Sequence, residues 1–303
     1  MDYLLLAAAA VLLAFDFCCN KIYQKKAGAG MQAGLRYNML VGILTGVIFT
    51  GIHYLSGEGG RIVTPYSLFL AAVMAVLGLT YLLIGFKMLK DGMMAVYTLF
   101  LMTGGMTLPY IWGIFALNEE VSVFRLAGLF LIFGGVLCAN FKNQKTNVRY
   151  LLMGIFVFCL NGMVSIVSKM HQIETVRETV SSSSFVLLSG VVKAAVCAVL
   201  ILFLQWRDKE KHSDAANEDE LSQKVSIKEV LWVVAASAFI GGVSYLLQLI
   251  GARNLPATVL YPIITGGSII GSAVAGRVFF REKMEKKMVL GILLCFAGTC
   301  CFL

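Results

Sequence analysis

Apolar runs of some twenty residues, divided by short polar stretches, recur along the whole chain. They cover 3–23, 33–55, 66–88, 93–116, 122–141, 149–170, 183–206, 229–251, 256–280 and 286–303. A helix needs about 20 apolar residues to cross a bilayer. None of these runs shows the alternation of polar and apolar positions that a barrel strand would carry. Helices satisfy their own backbone hydrogen bonds in lipid, so the pattern predicts an all-α polytopic membrane protein with about ten transmembrane helices. One connection breaks the rhythm. Residues 207–228 mix both charge signs with almost no apolar content, which predicts a flexible charged loop. Met1-Asp2-Tyr3 lacks the basic start of a signal peptide, so the first run is expected to be a retained span.

The runs also repeat. Thr103-Gly104-Gly105 matches Thr265-Gly266-Gly267, and at the same offset Glu120 matches Glu282. One residue later in register, Gly128 matches Gly291 and Gly135 matches Gly298. Tyr81-Leu82-Leu83 answers Tyr245-Leu246-Leu247, and Lys21 after the first span answers Lys169 after the sixth. The chain divides into halves 1–145 and 146–303 with five helices each. An odd number of spans forces the second half upside down. Inverted repeats of this kind are characteristic of secondary transporters, with the substrate site near the midplane between them. A structural duplication without transport is the plainer alternative.

Composition agrees with the pattern. Hydrophobic residues make up 59% and charged residues 14%, against about 45–50% and 25% in soluble domains. The net charge of +8 lies between apolar runs and not on one amphipathic face, which argues against nucleic acid as a partner. Lys and Arg crowd the loops joining helices 1–2, 3–4, 5–6, 7–8 and 9–10. The other side carries only Arg61, Arg125, Lys169, Arg177 and Arg253. Cytoplasmic loops are the basic ones, so the count places both termini outside. The eight cysteines lie in apolar runs with no metal-ligand spacing. No HExxH, GxSxG or Walker motif is present, so neither an enzyme nor an ATP-driven pump is expected, and no cofactor or metal.

Asp16 and Lys193 lie well inside spans, where a charge usually faces a cavity or a partner. They could pair with each other, or Asp16 could bind a proton or a cationic substrate group; a structural pair and a snorkelling lysine are the bland readings. Asn20, Asn161, Ser165 and Gln248 suit a cavity lining or ordinary interhelical hydrogen bonds equally. Tyr97, Tyr110, Tyr245 and Tyr261, with Thr265 close to the last, offer flat apolar faces with polar tips. Such side chains serve either a pocket or an interfacial anchor. Pro109 and Pro262 bend the fourth helix of each half or free a carbonyl there. Gly104, Gly105, Gly267 and Gly271 read as helix-packing positions. Glu120 and Glu282 read as charges at helix ends.

The stretches Gly104-Gly105…Pro109…Glu120…Gly128…Gly134-Gly135 and Pro262…Gly266-Gly267…Glu282…Gly291…Gly298, with the link Gly251-Ala252-Arg253-Asn254-Leu255-Pro256-Ala257, resemble the drug/metabolite transporter superfamily, specifically its EamA-like ten-helix members. The resemblance covers nearly the whole chain. It implies two EamA-like repeats and a secondary transporter moving a small organic metabolite or drug by alternating access. It also implies both termini in the cytoplasm, against the charge count. The expected cavity is built from helices 1, 3, 4, 6, 8 and 9, with a proton as candidate coupling ion. The expected setting is a lipid bilayer, a bacterial plasma membrane, as monomer or homodimer. A membrane enzyme on lipid-linked substrates and a non-transporting structural subunit are the competing readings.

Overall fold

A computed structural model describes residues 2–28, 30–55, 60–90, 93–140, 147–211, 227–281 and 286–302. Its described residues form ten helices: α1 Asp2–Ala27, α2 Met31–Leu55, α3 Pro65–Lys90, α4 Met94–Leu117, α5 Val123–Asn140, α6 Val148–Ile173, α7 Ser182–Lys211, α8 Ile227–Asn254, α9 Ala257–Phe280 and α10 Lys286–Cys300. Each falls within a few residues of an apolar run. The charged stretch after the seventh run begins as helix, because α7 continues to Lys211; residues 212–226 and Glu282 lie outside the described residues. Among the described residues, eight helices are long and apolar enough to cross a membrane; α5 and α10 are shorter there, at 18 and 15 residues.

Local chemistry sets the helix ends. Thr64 caps α3 by accepting from the Ser67 N–H at 3.3 Å, and Pro65 follows as the first helical residue, where its missing N–H costs nothing. Asn147 caps α6, and Ser181 caps α7 by accepting from the Ser184 N–H at 3.3 Å. Gly28 closes α1 at φ +87°, a conformation that favours glycine.

The outside of the bundle is apolar. Leu4, Val47, Phe69, Phe130, Phe156 and Trp232 are all more than half exposed on spanning or span-like helices. Such a surface is stable only where lipid is the solvent. The protein is an integral, multi-pass membrane protein.

Helix pairing follows the repeat. α1 lies on α8 and α9, while its counterpart α6 lies on α3 and α4. α2 pairs with α7, and α5 with α10, each helix with its own counterpart. These last two contacts show the direction. A Cβ on Gly128 would sit 2.7 Å from the Gly298 carbonyl oxygen, and one on Gly135 would sit 2.6 Å from that of Gly291. The earlier position in α5 meets the later one in α10, so the two run antiparallel. Gly42 meets Ala194 while Thr45 meets Gly190, so α2 and α7 are antiparallel too. Counterpart helices run in opposite directions, as an inverted repeat requires. The approximate two-fold exchanges the pair Gly128–Gly298 with Gly291–Gly135, which is the sequence register of the repeat.

One detail of that register changes. α4 ends at Asn118 in the left-handed region (φ 51°), its N–H donating to the Gly113 carbonyl. α9 ends the same way at Arg281 (φ 52°), its N–H donating to the Gly276 carbonyl. These caps correspond at an offset one residue longer than that of the Thr-Gly-Gly motifs. The acidic residue that answers Glu282 is therefore Glu119, not Glu120. Glu120 is exposed.

Candidate functional site

A cavity of about 300 Å³ lies inside the bundle. Its walls come from α1, α2 and α3 of the first half and from their counterparts α6, α7 and α8 of the second. It thus straddles the approximate two-fold. α4 and α9, expected from sequence to line it, give way to α2 and α7. The reason is visible in the glycines. Gly104 on α4 is pressed against the α6 backbone at Phe158, and Gly267 and Gly271 on α9 against Ala10 and Ala14 of α1. The smooth faces of α4 and α9 are spent on close helix contact outside the cavity.

Asp16, Lys193 and Tyr245 line the cavity. Asp16 accepts a hydrogen bond at Oδ1 from the Ser237 hydroxyl, and Ser237 Oγ accepts in turn from the Tyr37 hydroxyl at 2.7 Å. Gly241 makes room for this carboxylate: a Cβ there would sit 3.0 Å from Asp16 Cγ. Among the described residues, no ion pair joins Asp16 to Lys193, and the Lys193 ammonium has no hydrogen-bond acceptor. The Tyr245 hydroxyl lies 3.1 Å from Ser168 Oγ. Most of the remaining lining is apolar, with Met74, Leu79, Val164 and Val186 among it.

The other candidates make contacts between or within helices. Asn20 Oδ1 accepts from Gln24 Nε2 at 3.0 Å, one turn on. Asn161 Nδ2 donates to the Leu101 carbonyl at 2.7 Å, joining α6 to α4 beside Gly105. The Tyr261 hydroxyl donates to the Ser165 carbonyl, joining α9 to α6. Gln248 Nε2 donates to Ser244 Oγ at 3.2 Å, and the Thr265 carbonyl accepts from Ser268 Oγ at 3.0 Å. Tyr97 packs across Gly85, and Tyr110 is buried in the core that α4 shares with α9 and α10.

Towards the face that bears the termini, a buried layer closes the cavity. It lies within two turns of the lining on α2, α6, α7 and α8 and includes Phe49, Phe185, Leu249, His53, His171 and Ser184. His171 stacks on Phe185 with ring centroids 3.6 Å apart. The Ser182 hydroxyl and Arg253 Nε donate to Gln172 Oε1 at 2.9 and 3.0 Å, which orients that amide. Gln172 Nε2 then donates to His171 Nδ1 at 2.8 Å, so His171 Nε2 carries the proton and donates to Ser67 Oγ at 2.9 Å. One network thus ties α3, α6, α7 and α8.

Two charged residues on this face, Lys169 and Glu119, hold helix ends, a role that the sequence pattern does not mark. Lys169, expected in a loop, is buried at 4% exposure inside α6. Its ammonium donates to the Ala252 and Leu255 carbonyls, the latter at 2.7 Å, where α8 ends. Glu119 accepts from the N–H groups of Ala257 and Thr258 at 2.7 and 2.8 Å, at the start of α9. An anion at a helix N-terminus and a cation at a C-terminus both match the helix dipole. The left-handed cap at Asn118 turns the chain back so that the Glu119 carboxylate can reach. Lys21, the expected counterpart of Lys169, instead places its ammonium 4.6 Å over the Phe280 ring.

No curated protein matches the sequence. A crystal structure of a protein matches over 99% of this chain and 94% of its own, with a TM-score of 0.76 and 15% identity, a likeness of fold. The model of the EamA-like transporter family matches residues 149–303, just over half the chain. The chain belongs to the EamA-like transporter family and is a membrane transporter of the drug/metabolite type.

Proposed function

We propose that the protein is a secondary transporter that moves a small organic molecule by alternating access, with repeats 1–145 and 146–303 rocking about the cavity. One observation carries this reading: the cavity takes three helices from each half, as counterparts, and a buried layer lies between it and the face that bears the termini. An inverted repeat with its site on the two-fold can expose that site to either side by exchanging the conformations of its halves. The glycine contacts of α2 with α7 and α5 with α10 supply smooth surfaces for that exchange.

Asp16 is the proposed proton carrier. A carboxylate that holds either a proton or a cationic group of the substrate couples the two movements by competition. The basic loops place the closed face, with both termini, outside, and the short connections suit a bacterial plasma membrane. The test is counterflow in liposomes against amino acids, sugars, nucleosides and cationic drugs, with and without a pH gradient. Saturable flux above that of empty liposomes is expected. Absence of flux for every class would refute transport and favour a structural subunit.

A further inference from the structure

We propose that the outer side of the α2–α7 seam binds a membrane phospholipid with an anionic headgroup, its phosphate on Arg36 and one acyl chain in the groove along the seam. The groove has a volume of about 570 Å³. Ile43, Val47 and Thr50 of α2 line it together with Val191, Ala195 and Ala198 of α7. These are repeat counterparts, at the offset that relates Lys21 to Lys169, so the groove lies on the approximate two-fold. Gly42 against Ala194 and Gly46 against Val191 close the seam between this groove and the central cavity. The groove faces lipid, since Ile43, Val47 and Val191 are exposed at 47, 64 and 46%. The Thr50 hydroxyl is satisfied within its own helix, donating to the Gly46 carbonyl at 2.7 Å. The hollow therefore offers water no partner, and hydrocarbon fills it.

One end of the groove is charged. Arg36 precedes Ile43 by two turns and Val47 by three, intervals that keep one helix face. Its side chain is exposed, and among the described residues its guanidinium makes no hydrogen bond or ion pair. Helical side chains lean towards the helix N-terminus, which in α2 lies on the side of the basic loops, so the guanidinium snorkels to that interface. The repeat counterpart of Arg36 is Ser184, a buried neutral hydroxyl, so the opposite end has no such anchor. A guanidinium holds phosphate through two parallel hydrogen bonds. From Arg36 to Val47 α2 rises about 16 Å, and half of a hydrocarbon core is about 15 Å. One acyl chain below a phosphate at Arg36 therefore runs the length of the groove. A second copy docked by the same face would set hollow against hollow and bring two Arg36 side chains together. The bound chain touches both halves, so the lipid stabilises their contact.

The test uses the full chain in detergent with four added probes: dioleoyl phosphatidylglycerol, dioleoyl phosphatidylcholine, dihexanoyl phosphatidylglycerol and inorganic phosphate. The thermal midpoint is read against probe concentration, and light scattering reports the oligomeric state. Dioleoyl phosphatidylglycerol should raise the midpoint by about 4 °C and the other three by less than half of that. Arg36→Gln should abolish its advantage over the phosphatidylcholine, whereas Lys87→Gln, which removes another exposed cation, should keep it. Ala195→Phe, which fills the groove, should weaken the effect of both long-chain lipids. Equal shifts for the two dioleoyl lipids on the unmodified protein would overturn the proposal, as would an equal effect of the short-chain lipid or of phosphate. An advantage that survives Arg36→Gln would also overturn it. So would a lipid-free dimer that Ala195→Phe dissociates, which would give the groove to a second copy. The probe series on the unmodified protein stands even if a variant fails to fold. No readout depends on flux, so this site and the transporter reading can fail separately.

Discussion

The turn between α8 and α9 is held by two charges from elsewhere in the chain, and removing one of them is a sharp test. Lys169→Met keeps the length and apolar stem of the side chain but removes both hydrogen bonds to the Ala252 and Leu255 carbonyls. A hydrogen bond to a charged group contributes about 1.5–3 kcal/mol. Relief of the ammonium desolvation offsets part of the loss. A net destabilisation of about 2 kcal/mol is expected. For a chain of this size that corresponds to roughly 4 °C in thermal midpoint. Glu119→Gln leaves one of the Ala257 and Thr258 N–H groups without its carboxylate acceptor and should cost about 1 kcal/mol, as loss of a helix cap does. Glu119 also acts electrostatically on Lys169, so the double variant should depart from additivity by at least about 0.5 kcal/mol. The assay is thermal unfolding in detergent followed by size-exclusion fluorescence, with exposed Lys87→Met as control, expected within about 0.5 kcal/mol of the parent. A Lys169→Met protein as stable as the parent would refute the clamp, and additive effects would show that the two charges act independently.

Gly298→Val drives a side chain into the Gly128 carbonyl oxygen, which a Cβ already approaches to 2.7 Å. Overpacking at a backbone contact should cost about 1–3 kcal/mol, read as a lower midpoint; an unchanged midpoint would mean that α5 and α10 do not meet there. Gln172→Leu removes the acceptor shared by Ser182 and Arg253 and the donor to His171. In a Ser184→Cys background it should raise labelling by a membrane-impermeant maleimide added to the termini-bearing face; no increase would show that this network does not close the cavity. Glu174, in the exposed link after α6, is held below the usual carboxylate range by the N–H groups of Val176 and Arg177. A depressed carboxylate stabilises the folded link above its ordinary pKa, and the contribution is lost as pH falls through the folded value. Protection of the Val176 amide, taken relative to its intrinsic exchange rate at each pH, should therefore fall in acid, and Glu174→Gln should flatten that dependence.

The sequence by itself determined the ten helices, because a bilayer demands long apolar runs whatever the helices touch. It also determined the inversion, because five spans per half allow nothing else, and it singled out Asp16 and Lys193, because charges at membrane depth are rare. Rotation about each helix axis was another matter. These helices are apolar on nearly every side, so hydropathy does not mark which face meets lipid, a neighbour or a cavity. Only the tertiary structure put Tyr245 in the cavity while turning Tyr261 to the Ser165 carbonyl and Asn161 to that of Leu101. Only it brought in Ser237 and Tyr37, a serine and a tyrosine in ordinary helical surroundings that become notable beside Asp16. The same holds for Lys169 and Glu119. A lysine near the end of a span reads as a loop charge until another helix ends beside it, and the choice between Glu119 and Glu120 rests on a left-handed cap that no residue pattern announces. Hydrophobic length is a property of the chain; the partner of a polar group is a property of how helices cross.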